Sequence, residues 1–242
     1  MGYDGPSAIV LSVGSELLVG ETVDTNAAFL GRRLRELGIT LLEVRQLPDD
    51  RSVLADAIRT ARGAAPLVLI TGGLGPTHDD LTREGLADAL GEDLAADPIL
   101  EAEVRDRFRS HGSMPAVNLR QALRIPSAEA VPNPIGSAPG WWVDRDGVVT
   151  VAMPGVPSEM RRMFDEQVAA RLAARVGAAA LHVRTIKTFG LGESAVADRL
   201  GTVLSEPGDG VLAGIYARDD GVHLRFSTRG DPATLDAVAE HA

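Results

Sequence analysis

The sequence predicts an α/β fold: a three-layer, mainly parallel sheet with helices on both faces, followed by a small α+β module. Three observations predict it. Short runs rich in Val, Ile and Leu alternate with helical patterns through the first two-thirds of the 242 residues, the order that builds a parallel sheet. The runs are apolar at successive positions, as in strands covered on both faces. From about His182 the pattern changes to β-α-β-β-α, which sets off a smaller second unit. The expected domains are residues 1–172 and 173–242.

Ala8–Val13 is the first expected strand and ends at Gly14. Gly14-Ser15-Glu16-Leu17-Leu18 follows, placing Glu16 where ligands gather in open α/β sheets. Asp24 or Thr25 can cap a helix whose Ala27, Leu30, Leu34 and Leu37 fall at helical spacing, with Gly38 closing it. Ile39–Val44 is the second strand. Asp49, Asp50 and Ser52 lead into a helix carrying Leu54, Ala57, Ile58 and Ala61. Leu67–Thr71 is the central strand. It turns through Gly72, Gly73, Gly75 and Pro76 into a helix expected from about Thr82, with Leu86, Ala87 and Leu90 inward and Gly91 at its end. Pro98–Arg109 reads as a helix. Residues 110–142, rich in Pro, Gly, Ser and Asn, are expected to be irregular yet packed by Ile125, Val131, Trp141 and Trp142.

Val148–Met153 is a strand that runs into Pro154-Gly155-Val156-Pro157-Ser158-Glu159. Ser158 is the expected cap of the next helix, with Met160, Met163, Phe164 and Val168 facing inward. Ala-rich 169–180 bridges to the second unit. There His182–Phe189 is a strand and Glu193–Leu204 a helix. Val211–Tyr216 and Val222–Ser227 form a hairpin across Asp219-Asp220-Gly221, and Asp231–His241 a last helix.

Composition narrows the function. Hydrophobic residues make up 45% and aromatics 4%, so the core must be built from Ala, Val, Leu and Ile. A net charge of −10 argues against non-specific binding to nucleic acid or anionic membrane. The absence of Cys removes thiol catalysis, disulfides and cysteine-held zinc. Lys187 is the only lysine, so no lysine nucleophile lies in the first two-thirds. No apolar run approaches the roughly 20 residues that span a bilayer, and the N-terminus lacks the regions of a signal peptide. A cytoplasmic location is expected.

Three strand ends carry the chemistry: TGGLGPTHDD, MPGVPSE and GSELL. Glycines let a ligand approach main-chain N–H groups, and helix N-termini favour anions. Glu16, Asp79, Asp80 and Glu159 would repel a phosphate unless a cation came with it. Metal-assisted phosphoryl chemistry needs carboxylates for a hard cation, N–H donors and an oriented water, and this set can supply all three. In that reading the N–H groups of Gly72, Gly73 and Gly75 take phosphate oxygens and Asp80 holds the metal. Each turn also has a purely structural reading, since Asp and Ser in such turns cap helices. The glycine spacing fits neither a Walker A loop nor the dinucleotide fingerprint. His78 reads equally as a phosphate donor or an exposed loop residue.

The runs GSELLVGETVDTNAAFLGRRL, TGGLGPTHDDLT, NLRQAL, NPIGSAPG and MPGVPSEM lie in order along Ile9–Phe164. Together they resemble the N-terminal half of the competence/damage-inducible CinA family, of the MoaB/MogA molybdopterin-binding superfamily. The segment from His182, with FGLGES, resembles the KH-like module that follows it. The resemblance implies metal-dependent hydrolysis of the pyrophosphate of ADP-ribose to AMP and ribose 5-phosphate, in pyridine-nucleotide recycling. Its alternative is a molybdopterin-binding or adenylyl-transfer module. It further implies catalytic roles for Asp79, Asp80 and Glu159. Substrate contacts are implied for Glu16, Asp24, Asn26, Thr71, Gly72, Gly73, Gly75, Thr77, Asn118, Gly155 and Ser158. A divalent metal (Mg, Mn or Co) is implied on Asp80 and Glu16. Ser15 stands where many relatives have Asp, and Ser137 where Thr is usual. The sequence lacks the family's nicotinamide-nucleotide amidase domain, and a longer native chain is among the expectations. The module's missing GxxG loop and the net charge give no warrant for RNA binding. The expected partners are a small nucleotide and a second copy in a homodimer, with no nucleic acid and no membrane.

Overall fold

A computed structural model describes residues 6–109, 113–177, 182–208 and 210–240. The chain divides into two compact units, Met1–Arg35 with Ile39–Gly177 and Glu36–Gly38 with Ala178–Ala242. Residue 172, where the sequence suggests a boundary, lies inside a helix that runs to Val176 and ends on Gly177 in the left-handed region.

The first unit opens with β1 (Ser7–Val13), α1 (Ser15–Leu18), α2 (Thr25–Glu36), β2 (Thr40–Leu47), α3 (Arg51–Ala64), β3 (Leu67–Thr71) and α4 (Thr82–Leu90). Then come β4 (Ala95–Ala96), α5 (Pro98–Arg107), a 3-10 stretch Ala116–Ala122, β5 (Leu123–Arg124), β6 (Ala128–Val131), β7 (Gly140–Arg145) and β8 (Val148–Met153). It closes with α6 (Pro157–Met163), a π-helical turn Phe164–Val168 and α7 (Ala169–Val176). The sheet order is β2-β1-β3-β8-β7-β6. The first four strands are parallel, and β7 and β6 extend the sheet by antiparallel pairing. The register pairs Val13 with Leu47, Ser12 with Thr71, and Thr71 with Met153. Four carboxyl ends therefore finish level, and the segments that leave them emerge along one edge.

The apolar runs account for that arrangement. β3 is buried at every position, and Leu11, Leu54, Ile58, Val68, Ile70, Leu86 and Trp141 share one core cluster with no or almost no exposure. Each such side chain contributes roughly 1.5–3 kcal/mol. Gly85 lets α4 lie close on α3: a Cβ there would stand 2.7 Å from that of Leu54. Asp50 caps α3 through the N–H groups of Ser52 and Val53, and Asp97 caps α5 through those of Ile99 and Leu100.

Two expectations change. The stretch 110–142 is not irregular throughout: where described, it contributes β5, β6 and β7, and β7 and β8 turn tightly through Asp146 and Gly147, both at positive φ. Ser158 is not the cap of α6. Val156 holds that position with Pro157 following it, and a proline suits the first helical residue because its missing N–H would have no partner there.

The second unit contains β9 (His182–Thr188), α8 (Glu193–Leu200), α9 (Thr202–Ser205), β10 (Val211–Arg218), β11 (Gly221–Thr228) and α10 (Ala233–Glu240). Its antiparallel sheet runs β10-β11-β9 over a core of Val196, Leu200, Val222, Leu224, Phe226 and Leu235. Gly201, at φ 46°, divides the single helix expected over 193–204. His241 lies outside the described residues. Among the described residues, no helix is long and apolar enough to cross a membrane.

Candidate functional site

The level strand ends open onto a cleft of about 380 Å³. Its wall includes Glu16 after β1, Asp49 after β2, Gly72, Gly73, Gly75, Thr77, Asp79 and Asp80 after β3, and Gly155 and Glu159 after β8. Asp24, Asn26 and Thr71 line a smaller adjoining pocket, which shares Glu16 and Gly155 with the cleft. Asn118 is buried in the 3-10 stretch, and neither it nor Ser158 is among the residues that line the cleft or the side pocket.

The loop 72–80 is held from several sides. Gly72 sits at φ 103°, and a Cβ there would meet the Val13 carbonyl at 2.1 Å, so only glycine fits. Its N–H donates to the Met153 carbonyl at 3.0 Å. The Asp80 carboxylate accepts from the Gly75 N–H at 2.7 Å, the Thr77 N–H at 2.8 Å and the Thr77 hydroxyl at 2.5 Å. Behind the loop, Arg83 is buried and donates to the carbonyls of Leu74 and Gly75. Burial pushes its guanidinium down to about 10, still a cation at neutral pH. Arg120 donates to the Thr77 carbonyl and pairs with Glu84 at 2.7 Å.

This geometry corrects part of the sequence reading. The N–H groups of Gly72 and Gly75 already have acceptors inside the protein. Of the three glycine donors, only that of Gly73 has none among the described residues. Nor does Asp80 cap α4. That position belongs to Leu81, which has no side-chain cap. Asp80 is first a brace for its own loop. Asp79 is exposed, and its carboxyl lies below the ordinary carboxylate range. His78 points to solvent at 98% side-chain exposure.

Glu159 is fixed by Asn133, whose Nδ2 donates to Oε2 at 2.7 Å. The Asn133 Oδ1 accepts from the N–H of Gly136 at 2.8 Å, so one buried amide shapes the 133–138 loop and positions the acid. Asp49 accepts from the N–H and hydroxyl of Ser15, both at 2.8 Å. Asn26 donates to the Thr71 hydroxyl and the Gly155 carbonyl, and Thr71 donates to the Pro154 carbonyl. The ends of β3 and β8 are thereby clamped to α2.

Asp49, Asn133 and Gln121 are cleft or support residues that the sequence reading passed over. Asp49 follows the end of β2 as Glu16 follows β1, so the rule that found one would have found the other. Asn133 and Gln121 carried no such signal.

Five carboxylates, Glu16, Asp49, Asp79, Asp80 and Glu159, line the cleft, and no Arg, Lys or His is among the described lining residues. That donor set suits a hard cation. Among the described residues no three Asp, Glu, His or Cys side chains converge as a metal cage. A Mg-type ion held by one or two carboxylates together with substrate phosphates needs no such cage.

A family model described as "Probable molybdopterin binding domain" matches residues 9–174, and one described as "Damage-inducible protein CinA KH domain" matches residues 183–241. The chain is 48% identical over 227 residues to a CinA-like protein of Thermomicrobium roseum, across 93% of this chain and 55% of that one. It is 46% identical over 237 residues to a CinA-like protein of Deinococcus deserti, across 97% and 58%. The chain spans about half the length of these curated relatives. A solved structure of the protein CinA from Thermoplasma acidophilum, described as of unknown function, is 36% identical at a TM-score of 0.64, covering 66% of this chain and 95% of that one.

Proposed function

This chain belongs to the CinA family, a molybdopterin-binding-type domain followed by a CinA KH domain, and we propose that its first domain hydrolyses the pyrophosphate of ADP-ribose with a divalent cation. The products are AMP and ribose 5-phosphate, which places the activity in pyridine-nucleotide recycling. One observation carries this reading: the strand-end cleft is lined by five carboxylates, with no Arg, Lys or His among the described lining residues. A pyrophosphate enters such a cleft only with a cation to screen it.

Glu16 and Asp79 are the residues that would hold the ion. Asp80 is committed to three donors of its own loop and contributes charge from behind. A divalent cation held there would supply neutralisation of phosphate charge and activation of water for attack. The Gly73 N–H is the open donor for a phosphate oxygen. Glu159, immobilised by Asn133, accepts the proton of the attacking water. A bond forms between the water oxygen and one phosphorus. The bond from that phosphorus to the bridging oxygen breaks, the second phosphate leaves, and Glu159 returns its proton to solvent.

The family description favours a second reading, in which the same cleft binds molybdopterin; adenylyl transfer would be the catalytic form of that reading. The deciding experiment incubates the protein with ADP-ribose and Mg, Mn or Co, with an EDTA control, and follows AMP. Metal-dependent release supports hydrolysis. No release with any metal, with saturable molybdopterin binding instead, transfers the assignment to the second reading. We also infer a cytoplasmic homodimer, because a small second module is unlike a unit that buries all its own apolar surface. A monomer mass by light scattering at micromolar concentration would reject the dimer.

A further inference from the structure

We propose that the chain pairs with a second copy through the outer edge of β10. The two strands run antiparallel across a two-fold axis at Gly214 and join two three-stranded sheets into one. The proposal rests on the homodimer inferred above and gives that dimer its interface. A strand at a sheet edge presents unpaired N–H and C=O groups, and soluble proteins blunt such edges with charge, proline, bulges or short length. Of the four edges of the two larger sheets, three are blunted in this way. β2 carries Glu43 and Arg45, and its register shifts against β1 between Ala8 and Ile9. β6 has only four residues, one of them Glu129. β9 carries Arg184 and Lys187. β10 has none of these devices. All of its eight residues except the last, Arg218, are uncharged, it holds no proline, and its register with β11 runs unbroken from Val211 to Arg218.

The turn Asp219-Asp220 closes β10 on β11 at Arg218 and Gly221, and a two-residue turn closes on a hydrogen-bonded pair. By alternation Tyr216, Gly214 and Leu212 bond to β11, while Ala213, Ile215 and Ala217 turn their N–H and C=O groups outward. Among the described residues no other element takes up those groups. Pairing centred on Gly214 sets Ala213 opposite the partner's Ile215. Both side chains already pack on the apolar core of this unit, so the core continues across the axis. On the open face Leu212, 72% exposed, comes opposite the partner's Tyr216, which is 40% exposed. Gly214 makes room at the axis. The Tyr216 ring lies over it, where a Cβ would stand 2.8 Å from the hydroxyl oxygen, and the Arg225 guanidinium lies 5.1 Å from the centre of that ring. Charge selects the direction of pairing. The chain carries −10, and the antiparallel arrangement puts the two Asp219-Asp220 turns at opposite ends of the joined strands. They are then about 35 Å apart at roughly 3.4 Å per residue, far beyond a Debye length of about 8 Å. Parallel pairing would set the acidic turns side by side.

The absence of Cys makes the register testable. Leu212→Cys combined with Tyr216→Cys faces each new thiol with one of the partner's across the axis, Cα atoms about 4.5 Å apart and within disulfide reach. Within one chain the same two positions are about 13 Å apart along the strand, too far to bridge. Oxidised in air, the double variant should run as a covalent dimer on a non-reducing gel, and each single substitution should run as a monomer. Leu212→Lys combined with Ala217→Lys adds charge at two exposed positions of the edge. It should lower the light-scattering mass at micromolar concentration from dimer to monomer with an unchanged far-ultraviolet circular dichroism spectrum. A dimer mass that survives both lysines overturns the β10 interface while the inferred dimer stands, and so does a double cysteine variant that gives no covalent dimer. A covalent dimer from either single cysteine overturns the register about Gly214. A monomeric wild type removes the interface and the dimer together.

Discussion

Asp80→Asn separates a loop brace from a metal ligand. The carboxylate accepts three donors, one from Gly75 and two from Thr77. Asparagine offers a single oxygen. In its better orientation that oxygen keeps both Thr77 donors, and the amide faces the Gly75 N–H, which loses its acceptor. A half-buried orphan donor costs about 1 kcal/mol, the low end of its range. The two surviving bonds lose their charge assistance, together about 1–2 kcal/mol. The total is about 2–3 kcal/mol, or a fall in Tm of roughly 4–12 °C for a unit of this size. Asp79→Asn is the control. Asp79 is exposed, so its stability should stay within about 0.5 kcal/mol of wild type, while metal-dependent AMP release falls about a hundredfold or more. Calorimetry and the release assay read both variants. A wild-type Tm for Asp80→Asn would refute the brace, and full activity in Asp79→Asn would refute the cation role.

Three further outcomes follow from the same geometry. Arg83→Met keeps the length but leaves the Leu74 and Gly75 carbonyls without donors, so urea unfolding should show a loss of about 2–5 kcal/mol. Gly72→Ala drives a Cβ into the Val13 carbonyl at a positive φ and should abolish soluble folding or cost about 3 kcal/mol or more, seen as loss of a cooperative melt. Asp97 is held below the ordinary carboxylate range first by Arg124 and then by the N–H groups it caps. A depressed acid stabilises the fold above its unfolded value near 3.9, and that stability is lost as pH falls from there. Melts between about pH 5 and pH 3 should therefore fall less steeply for Asp97→Asn, and parallel acid limbs would reject the assignment.

The parallel strands β1, β3 and β8 were legible because each is a short, largely apolar run, whereas β2 carries Glu43, Arg45 and Gln46 and alternates in burial, and the rule about strand ends located Glu16, Asp79, Asp80 and Glu159 at one edge. β6 and β7 were hidden for the opposite reason. They lie in a stretch whose Pro, Gly and Ser content resembles a loop, and Trp141, Trp142 and Val143 are all buried, so no alternation marks a strand. The Asp146-Gly147 turn was the available signal, since such a pair flanked by apolar runs favours a hairpin. At the site, the sequence could place carboxylates but not say which are committed. Asp79 and Asp80 are neighbours, yet one braces a loop and the other faces water, and that division depends on where Gly75 and Thr77 point their N–H groups. The Asn133–Glu159 bond joins residues 26 positions apart and no local pattern announces it.

The arginines behind the glycine loop have a consequence for recognition. Fixing the backbone of a mobile residue takes roughly 1–2 kcal/mol of conformational entropy, and loops that order on binding subtract that from affinity. Here Arg83, Arg120 and Asp80 have already immobilised the segment by holding its carbonyls and two of its N–H groups. A ligand meets a finished surface. Its association should need no closing step, and changes of preference among ligands should arise at the rim, from Glu16, Asp49, Asp79 and the side pocket, with the loop unchanged.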